Sequence, residues 1–539
     1  MPTTVEKLIA GYGPDFPSLE DLFGLYATEA QELALSQPSP ALGRYLKEVA
    51  FMSEVTSGRN IGLIRFHVLI ERFIALSDEL TIYSGIHRYR KVVHSLTDED
   101  KKQLRELAKT SADIIRAEGI ERFTEHDTAA AGDYLKLLVG REMPHLESMI
   151  EGIAFADTSE DTMGPTFGLI GNQLVYGYFI PHLLDFMSKM MNYIVEVEKK
   201  DPLVLPGLTH EQAAEPTTFG KKIMTSLKSI DYHIERMSRD GQFIPFTGKL
   251  GGAIGNLTTH YAAYPDIDWL AFAERYITGL GLTYDSMTFQ SVTYDVEISL
   301  FTEIAHMLTH IIKMAEDFLS MASCPGQMFI KRKKKGTKGS SIMPGKSNGW
   351  ATEGAIAMLK EARAGLFNLA QTLPDYRHEG NMGRSYLCRN LGTGMMPAFI
   401  AIHRIDNEIV GDMQKRGYVP NTDKIRAFFF EYPGMAGSAI QTVLKRAGIE
   451  GDAYRQIESI SINPDGTYAN AEQFGLGLRR VIAENDLPES VGVELLKLVN
   501  PENNTGKADF LAQRCKMELR CRIQHYREKM LPRCRKFLI

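Results

Sequence analysis

Five long stretches of this chain, residues 167–199, 217–240, 267–280, 292–322 and 352–372, carry apolar side chains at helical spacing. Such spacing gives a helix one apolar face. In the fourth stretch Ile298, Phe301, Ile304, Leu308, Ile311, Ile312 and Phe318 form a single wide stripe. Helices of that length cover such stripes by packing side by side in a bundle. Runs with a period of two, the mark of strands, are scarce. The chain therefore reads as all-α, with a long central helical bundle and smaller helical regions before and after it. The stripes are wide enough to leave apolar surface for further copies, so an oligomer is expected.

The punctuation of the chain divides it into four parts. Residues 1–40 hold two proline-bearing stretches and read as an N-terminal appendage. Residues 41–160 read as an N-terminal helical domain, 161–415 as the central bundle with a catalytic loop at 331–353, and 416–539 as a C-terminal helical domain. Turns are expected near Ser57-Gly58 and across Ser95–Asp100, with Thr97 as a helix cap ahead of three acids. The segment Ser461–Tyr468 reads as a loop. The basic tail Arg514–Arg535 reads as a helix with a solvated face.

Charge and cysteine content exclude several classes. The net charge is −6 over 539 residues, so no overall basic field for nucleic acid exists. The five cysteines are an odd number and form no Cys-x-x-Cys pair, which points away from a disulfide framework or zinc ribbon and towards reduced thiols in the cytoplasm. The first residues show no secretory pattern, and no stretch has the length and apolarity of a membrane span. His306 and His310 share one helical face, as metal ligands would. No glutamate follows the first and no third ligand is evident, so no metal is expected. Dinucleotide and P-loop motifs are absent, and no cofactor is expected.

The segment with the most chemistry is Gly339-Ser340-Ser341-Ile342-Met343-Pro344-Gly345-Lys346-Ser347-Asn348, followed by Glu353. Small residues make it a mobile loop leading into a helix, which Thr352 or Asn348 could cap. Backbone N–H groups at such a junction favour anions, and Lys346 and Asn348 add a charge and an amide donor. By composition alone it is an ordinary surface loop; the whole pattern says more. It resembles the signature GSSxMPxKxN of the fumarase/aspartase superfamily, with a glutamate five residues on.

Members of that superfamily release fumarate by elimination. A base takes a proton from the carbon beside a carboxylate, and an acid protonates the leaving nitrogen or oxygen. Fixed positive dipoles hold the dianionic intermediate. The resemblance implies Ser340 as the base, with Ser341, Met343, Lys346 and Asn348 in contact with substrate.

Other segments resemble the bacterial-type adenylosuccinate lyases within that superfamily. Thr209-His210-Glu211-Gln212 and the following Glu215-Pro216-Thr217 are similar to the family's THGQPATPT, which implies His210 as general acid and Thr209 as a substrate contact. His126-Asp127 resembles its HDV element. Thr158-Ser159-Glu160-Asp161 matches its TSED, whose hydroxyls hold a substrate carboxylate. Gly248-Lys249 through Asn256, Ala262–Pro265 and Asp268-Trp269 resemble a further stretch, and Gln290 stands at a substrate-binding glutamine. Gly43-Arg44-Tyr45 and the pair Ser385 and Arg389 resemble elements that grip a nucleotide phosphate.

The resemblance runs from about residue 40 to 460. It implies a homotetramer whose active sites are each built from three subunits, acting on adenylosuccinate and the succinyl-carboxamide ribotide of purine biosynthesis.

Departures bear on the substrate more than on the reaction. Gly380 stands where the phosphate segment has an arginine, with Arg377 and Arg384 as possible replacements. Glu211 and Glu215 replace a glycine and a small hydroxyl residue beside His210, and extra carboxylates favour a charged imidazole. The basic run Lys331–Lys338 is unusual and reads as a solvated hinge. Two alternatives remain: a lyase of the same chemistry on another succinyl amine, and an inactive structural protein descended from a lyase. Taken singly, His126 and His210 would be structural hydrogen-bonders, and Arg44 and Arg389 surface ion pairs.

Overall fold

The computed structural model describes residues 40–82, 95–323, 327–332, 336, 338–380, 382–411 and 417–535. The expected appendage at 1–40, save Pro40, lies outside the described residues, as do Lys333, Lys334, Lys335 and Thr337 of the basic run.

The expected all-α architecture is what the chain adopts. The N-terminal helices are α1 (Pro40–Val49), α2 (Gly58–Ile82), α3 (Asp98–Glu106), α4 (Ser111–Thr124) and α5 (Asp127–Glu142). Thr97 caps α3 as expected: its hydroxyl accepts from Asp100 N at 3.1 Å while the Asp100 carboxylate accepts from Thr97 N at 2.9 Å. Thr110 and Asp113 repeat the device at α4. Each box satisfies two N–H groups that a helix start leaves open.

At the centre, α6 (Ser159–Asn172) and α7 (Ile180–Glu198) form one rod through a π-helical turn at Gln173–Phe179. At 1.5 Å per residue this rod is roughly 60 Å long. It is apolar on nearly all sides because other helices cover it: α8 (Phe219–Arg236), α10 (Asp295–Met321), α11 (Trp350–Thr372) and α13 (Leu391–Ile405), with α9 (Trp269–Gly279) and α12 (Gly383–Arg389) at the margin. Successive long helices run antiparallel, so their connections gather at two ends.

One end is an aromatic floor. Tyr193 near the end of α7, Phe219 at the start of α8 and Phe318 near the end of α10 meet Phe329 and Tyr418, with ring centroids 5.3–6.1 Å apart. From this end rise the ribbon β1 (Val204–Thr209) and β2 (Gln212–Thr218), and the ribbon β3 (Phe329–Arg332) with β4 (Gly417–Pro420). The opposite end gathers the starts of α6, α10 and α13 and the ends of α8 and α11.

Beyond β4 come α14 (Thr422–Glu431), α15 (Gly437–Arg446), α16 (Ala453–Ser461), α17 (Ala471–Glu484), α18 (Glu489–Leu498) and α19 (Ala508–His525). Helices α15–α18 enclose their own core of Ile440, Leu444, Ile457, Phe474, Leu478, Val481 and Leu495. Helix α19 instead returns to the bundle. The basic segment is helical with one solvated face, as expected, and its other face is buried. Ala512, Leu519, Ile523, Tyr526 and Met530 are buried in the main core, Tyr526 donates to Asp231 at 3.0 Å, and Arg522 pairs with the same carboxylate at 2.6 Å. Arg514, Arg520 and Arg527 lie on the opposite, exposed face.

Candidate functional site

At the start of α6 a buried carboxylate organises two loops. Asp161 accepts from Thr158 N at 3.1 Å, Gly251 N at 2.9 Å and Gly252 N at 3.0 Å. Lys249 Nζ lies 3.0 Å from the same carboxylate and also donates to Gly252 O at 2.9 Å. A charge taken out of water must find donors, and the glycine-rich turn supplies them. Gly252 sits at φ +71° and Gly255 at φ +83°, where a Cβ would overlap the carbonyl of Thr288. Just before the helix, Asp157 accepts two bonds from Arg72, at 2.7 and 2.5 Å. Thr158 and Ser159 are thereby fixed, half-buried, at the N-terminus of a long helix, where the helix dipole and open N–H groups attract a carboxylate.

Around them stand the other expected contacts. Gln290 N donates to Glu379 O at 2.8 Å, and a Cβ on Gly380 would lie 2.6 Å from Gln290 Oε1. His126 Nδ1 accepts from Ala129 N at 3.3 Å and caps α5, so its proton sits on Nε2. Asp127 takes Arg65 Nη2 at 2.8 Å and Arg389 Nη2 at 2.7 Å, and Arg389 also donates to Ser385 Oγ. Burial opposes ionisation of Asp127, but the two guanidiniums hold its carboxyl below the usual range. Arg384 is buried and paired with Glu160. It is therefore not free to replace the arginine missing at Gly380, whereas Arg377 is exposed.

Arg65 was not singled out from sequence, and Lys249 and Arg384 were named there without their buried partners Asp161 and Glu160. The signal was present in Arg65, a charge on the apolar face of α2 beside Ile61, Ile64 and Val68.

The remaining residues lie at the aromatic end. His210 and Glu211 form the two-residue turn between β1 and β2, with Thr209 paired to Gln212. Both adopt left-handed backbones, φ 53° and 60°, as a two-residue hairpin turn of this kind requires. Both are exposed. Glu215 does not face His210; its Oε1 accepts from Ser438 Oγ at 2.5 Å.

Ser340 Oγ accepts from Met343 N at 3.1 Å and, more weakly, from Ile342 N at 3.4 Å. The two legs of its loop touch, since a Cβ on Gly339 would overlap Lys346 O. Ser341, Met343 and Lys346 are exposed.

Two expectations about this loop are corrected. The cap of α11 is Gly349 with no side-chain bond; Thr352 is buried against the Tyr418 hydroxyl, and the backbone carbonyl of Asn348 accepts from Lys331 at 2.6 Å. Lys331 is no solvated hinge residue: it lies in β3 and pairs with the largely buried Glu408.

Arg44 and Tyr45 also belong to this end, because the Tyr45 ring lies under Arg404 at 4.5 Å and Arg404 reaches Trp350. Arg404 is in the last turn of α13, whereas Arg389 precedes its start. At 1.5 Å per residue the helix separates the two phosphate elements by roughly 20 Å within one chain.

His306 and His310 both stack on His233, at 5.2 and 5.4 Å, presenting ring faces to one another. Among the described residues no group of three His, Cys, Asp or Glu side chains could hold a metal.

A long helical bundle with a serine-bearing loop, a histidine hairpin and a helix start bearing two fixed hydroxyl residues belongs to a lyase-type enzyme. The model of the lyase family matches residues 68–362, more than half of the chain, and the chain belongs to that family. It is similar to the adenylosuccinate lyase of Escherichia coli (strain K12), 29% identical over 477 residues, 88% of this chain and 97% of that protein. It is also similar to the adenylosuccinate lyase of Dictyostelium discoideum, 28% identical over 487 residues, 89% of this chain and 98% of that protein. Among solved structures it shares the fold of the 3-carboxy-cis,cis-muconate lactonizing enzyme from Pseudomonas putida (TM-score 0.63, 18% identity, 88% of this chain and 98% of that one). The fumarate lyase from Mesorhizobium sp. BNC1 is likewise similar in fold (TM-score 0.61, 15% identity, 87% of this chain and 97% of that one).

Proposed function

We infer that this chain is a carbon–nitrogen lyase that releases fumarate from adenylosuccinate, leaving AMP, and from the succinyl-carboxamide ribotide of the same pathway, in the cytoplasm. The observation that carries the reading is the loop geometry at Ser340. A serine hydroxyl is a poor base in water, and backbone N–H groups aimed at its oxygen stabilise the alkoxide it must become. Ser340 takes the proton from the carbon beside the succinyl carboxylate. The carbon–nitrogen bond then breaks, its electron pair leaves with nitrogen, and His210 protonates that nitrogen. Lys346, Thr158 and Ser159 hold the carboxylates, with Gln290 and His126 Nε2–H as further donors. Ser385 and Arg389 take the phosphate, joined by Arg44 and Tyr45.

These residues occupy both ends of one bundle, and α13 alone keeps the two phosphate elements apart. A complete site therefore draws on more than one copy, and a homotetramer with antiparallel neighbouring bundles brings opposite ends together.

One observation favours a second reading. Gly380 leaves no side chain where the phosphate segment has an arginine, and Gln290 occupies the space beside it, so the substrate can be a different succinyl amine. Assay of fumarate release from adenylosuccinate, its carboxamide ribotide analogue and non-phosphorylated succinyl amines separates the two. Turnover confined to a non-phosphorylated substrate excludes the first.

A further inference from the structure

We propose that the lobe formed by α15–α18 is a positioning device for the His210 hairpin, acting through Ser438 on Glu215 and through Tyr468 on Gln212. The proposal rests on the reading of His210 as the acid.

The hairpin cannot hold its own tip rigidly. A two-stranded ribbon is marginal in water, and a left-handed backbone is strained at any residue that is not glycine. His210 and Glu211 both carry that strain, and residues 208–212 are exposed. Something outside the ribbon must fix it.

The lobe supplies the contacts. Ser438, at the start of α15, donates to Glu215 Oε1 at 2.5 Å, and Tyr468, before α17, donates to Gln212 Oε1 at 3.4 Å. Ala213 faces a cleft walled by Tyr432, Met435, Tyr454 and Tyr468. Glu215 also sits at the register-setting point of the ribbon. Opposite it the pairing shifts between Pro206 and Leu208, and a Cβ on Gly207 would lie 2.6 Å from Glu215 O.

The lobe has a core separate from that of the bundle, so the hairpin is tied to a packing unit other than the one that carries the rest of the chain's site residues. The imidazole of His210 is thereby aimed by a part of the chain that holds none of the other proposed site residues. A misplacement of about 1 Å at a reacting group can cost a hundredfold in rate.

The test uses the full-length protein with Ser438→Ala, Glu215→Leu and Glu215→Gln, the last keeping a hydrogen-bond acceptor. Thermal midpoints establish that each variant is folded. Hydrogen exchange of the amides at 209–212 reports the hairpin directly, and kcat and KM report its effect. Expected are faster exchange and at least about tenfold lower kcat with little change in KM for Ser438→Ala and Glu215→Leu, and recovery of both in Glu215→Gln. Unchanged exchange in Ser438→Ala and Glu215→Leu overturns the proposal. So does faster exchange with wild-type kcat in an enzyme that His210→Asn cripples. Full activity of His210→Asn would sink the acid assignment instead, and exchange alone would then decide the clamp.

Discussion

Lys249 and Asp161 form an ion pair that water does not reach: Nζ lies 3.0 Å from Oδ1, and the two side chains are 1% and 0% exposed. The pair joins the glycine-rich turn after α8 to the start of α6, and so places Thr158 and Ser159. Removing Lys249 leaves the Asp161 charge buried with only its backbone N–H donors, and breaking a buried pair in this way costs about 3–5 kcal/mol. Lys249→Met is expected to lower stability by about that amount, measured as a drop in thermal midpoint and in denaturant resistance. A variant as stable as the wild type would show that the turn does not depend on the pair.

Acid lability should be traceable to His260. Burial pushes its imidazole down to about 4, aided by Arg72 and Lys249 and opposed by Asp161, and the ring is packed between Phe155 and Trp269. Its folded-state pKa is depressed, so the folded form refuses a proton that the unfolded chain accepts below about 6.5. The stability this group contributes is complete above that value and is lost as pH falls towards 4. Between neutral pH and about pH 5 the loss is about 2 kcal/mol. Thermal midpoints across this range should fall less steeply for His260→Phe, whose ring fills the same space without titrating.

Glu211 is the residue whose replacement should stabilise the fold. It holds φ 60° at the hairpin tip, and glycine has no Cβ to strain there. Glu211→Gly is expected to raise stability by about 1 kcal/mol, read from the thermal midpoint. Lower stability would mean that its carboxylate makes contacts in the assembly that outweigh the backbone cost.

The helices were legible because their stripes are long. The run expected at 292–322 is Asp295–Met321, and that expected at 352–372 is Trp350–Thr372. The loop at 339–348 was legible because its glycine and serine pattern is the loop's own geometry: only glycine fits at 339. The hairpin was not. Its strands, Val204–Thr209 and Gln212–Thr218, lack alternation, and the turn uses His210 and Glu211 where asparagine or glycine would have signalled one. The pairing of Lys249 with Asp161, and of Arg384 with Glu160, depends on which loops meet at a bundle end, and local spacing does not carry that. The cap of α11 was misread because Thr352 is a good capping residue by type but is turned inwards against Tyr418.

Arg389 spans Asp127 and Ser385, and Arg377 is exposed beside Gly380. Arg389→Ala and Arg377→Ala should each raise KM at least about tenfold for a phosphorylated substrate, the worth of one charge-assisted contact, with a much smaller effect on a substrate lacking phosphate. Equal effects on both substrates would make these arginines structural.

Fumarate release from adenylosuccinate, followed by ultraviolet absorbance in wild-type protein and in Ser340→Ala, decides whether Ser340 is the base of a succinyl-amine lyase. Turnover is expected in the wild type, with a loss of several orders of magnitude in kcat for the variant and an unchanged thermal midpoint. Near-normal turnover in Ser340→Ala, or no fumarate from any succinyl amine with the wild type, would contradict that assignment.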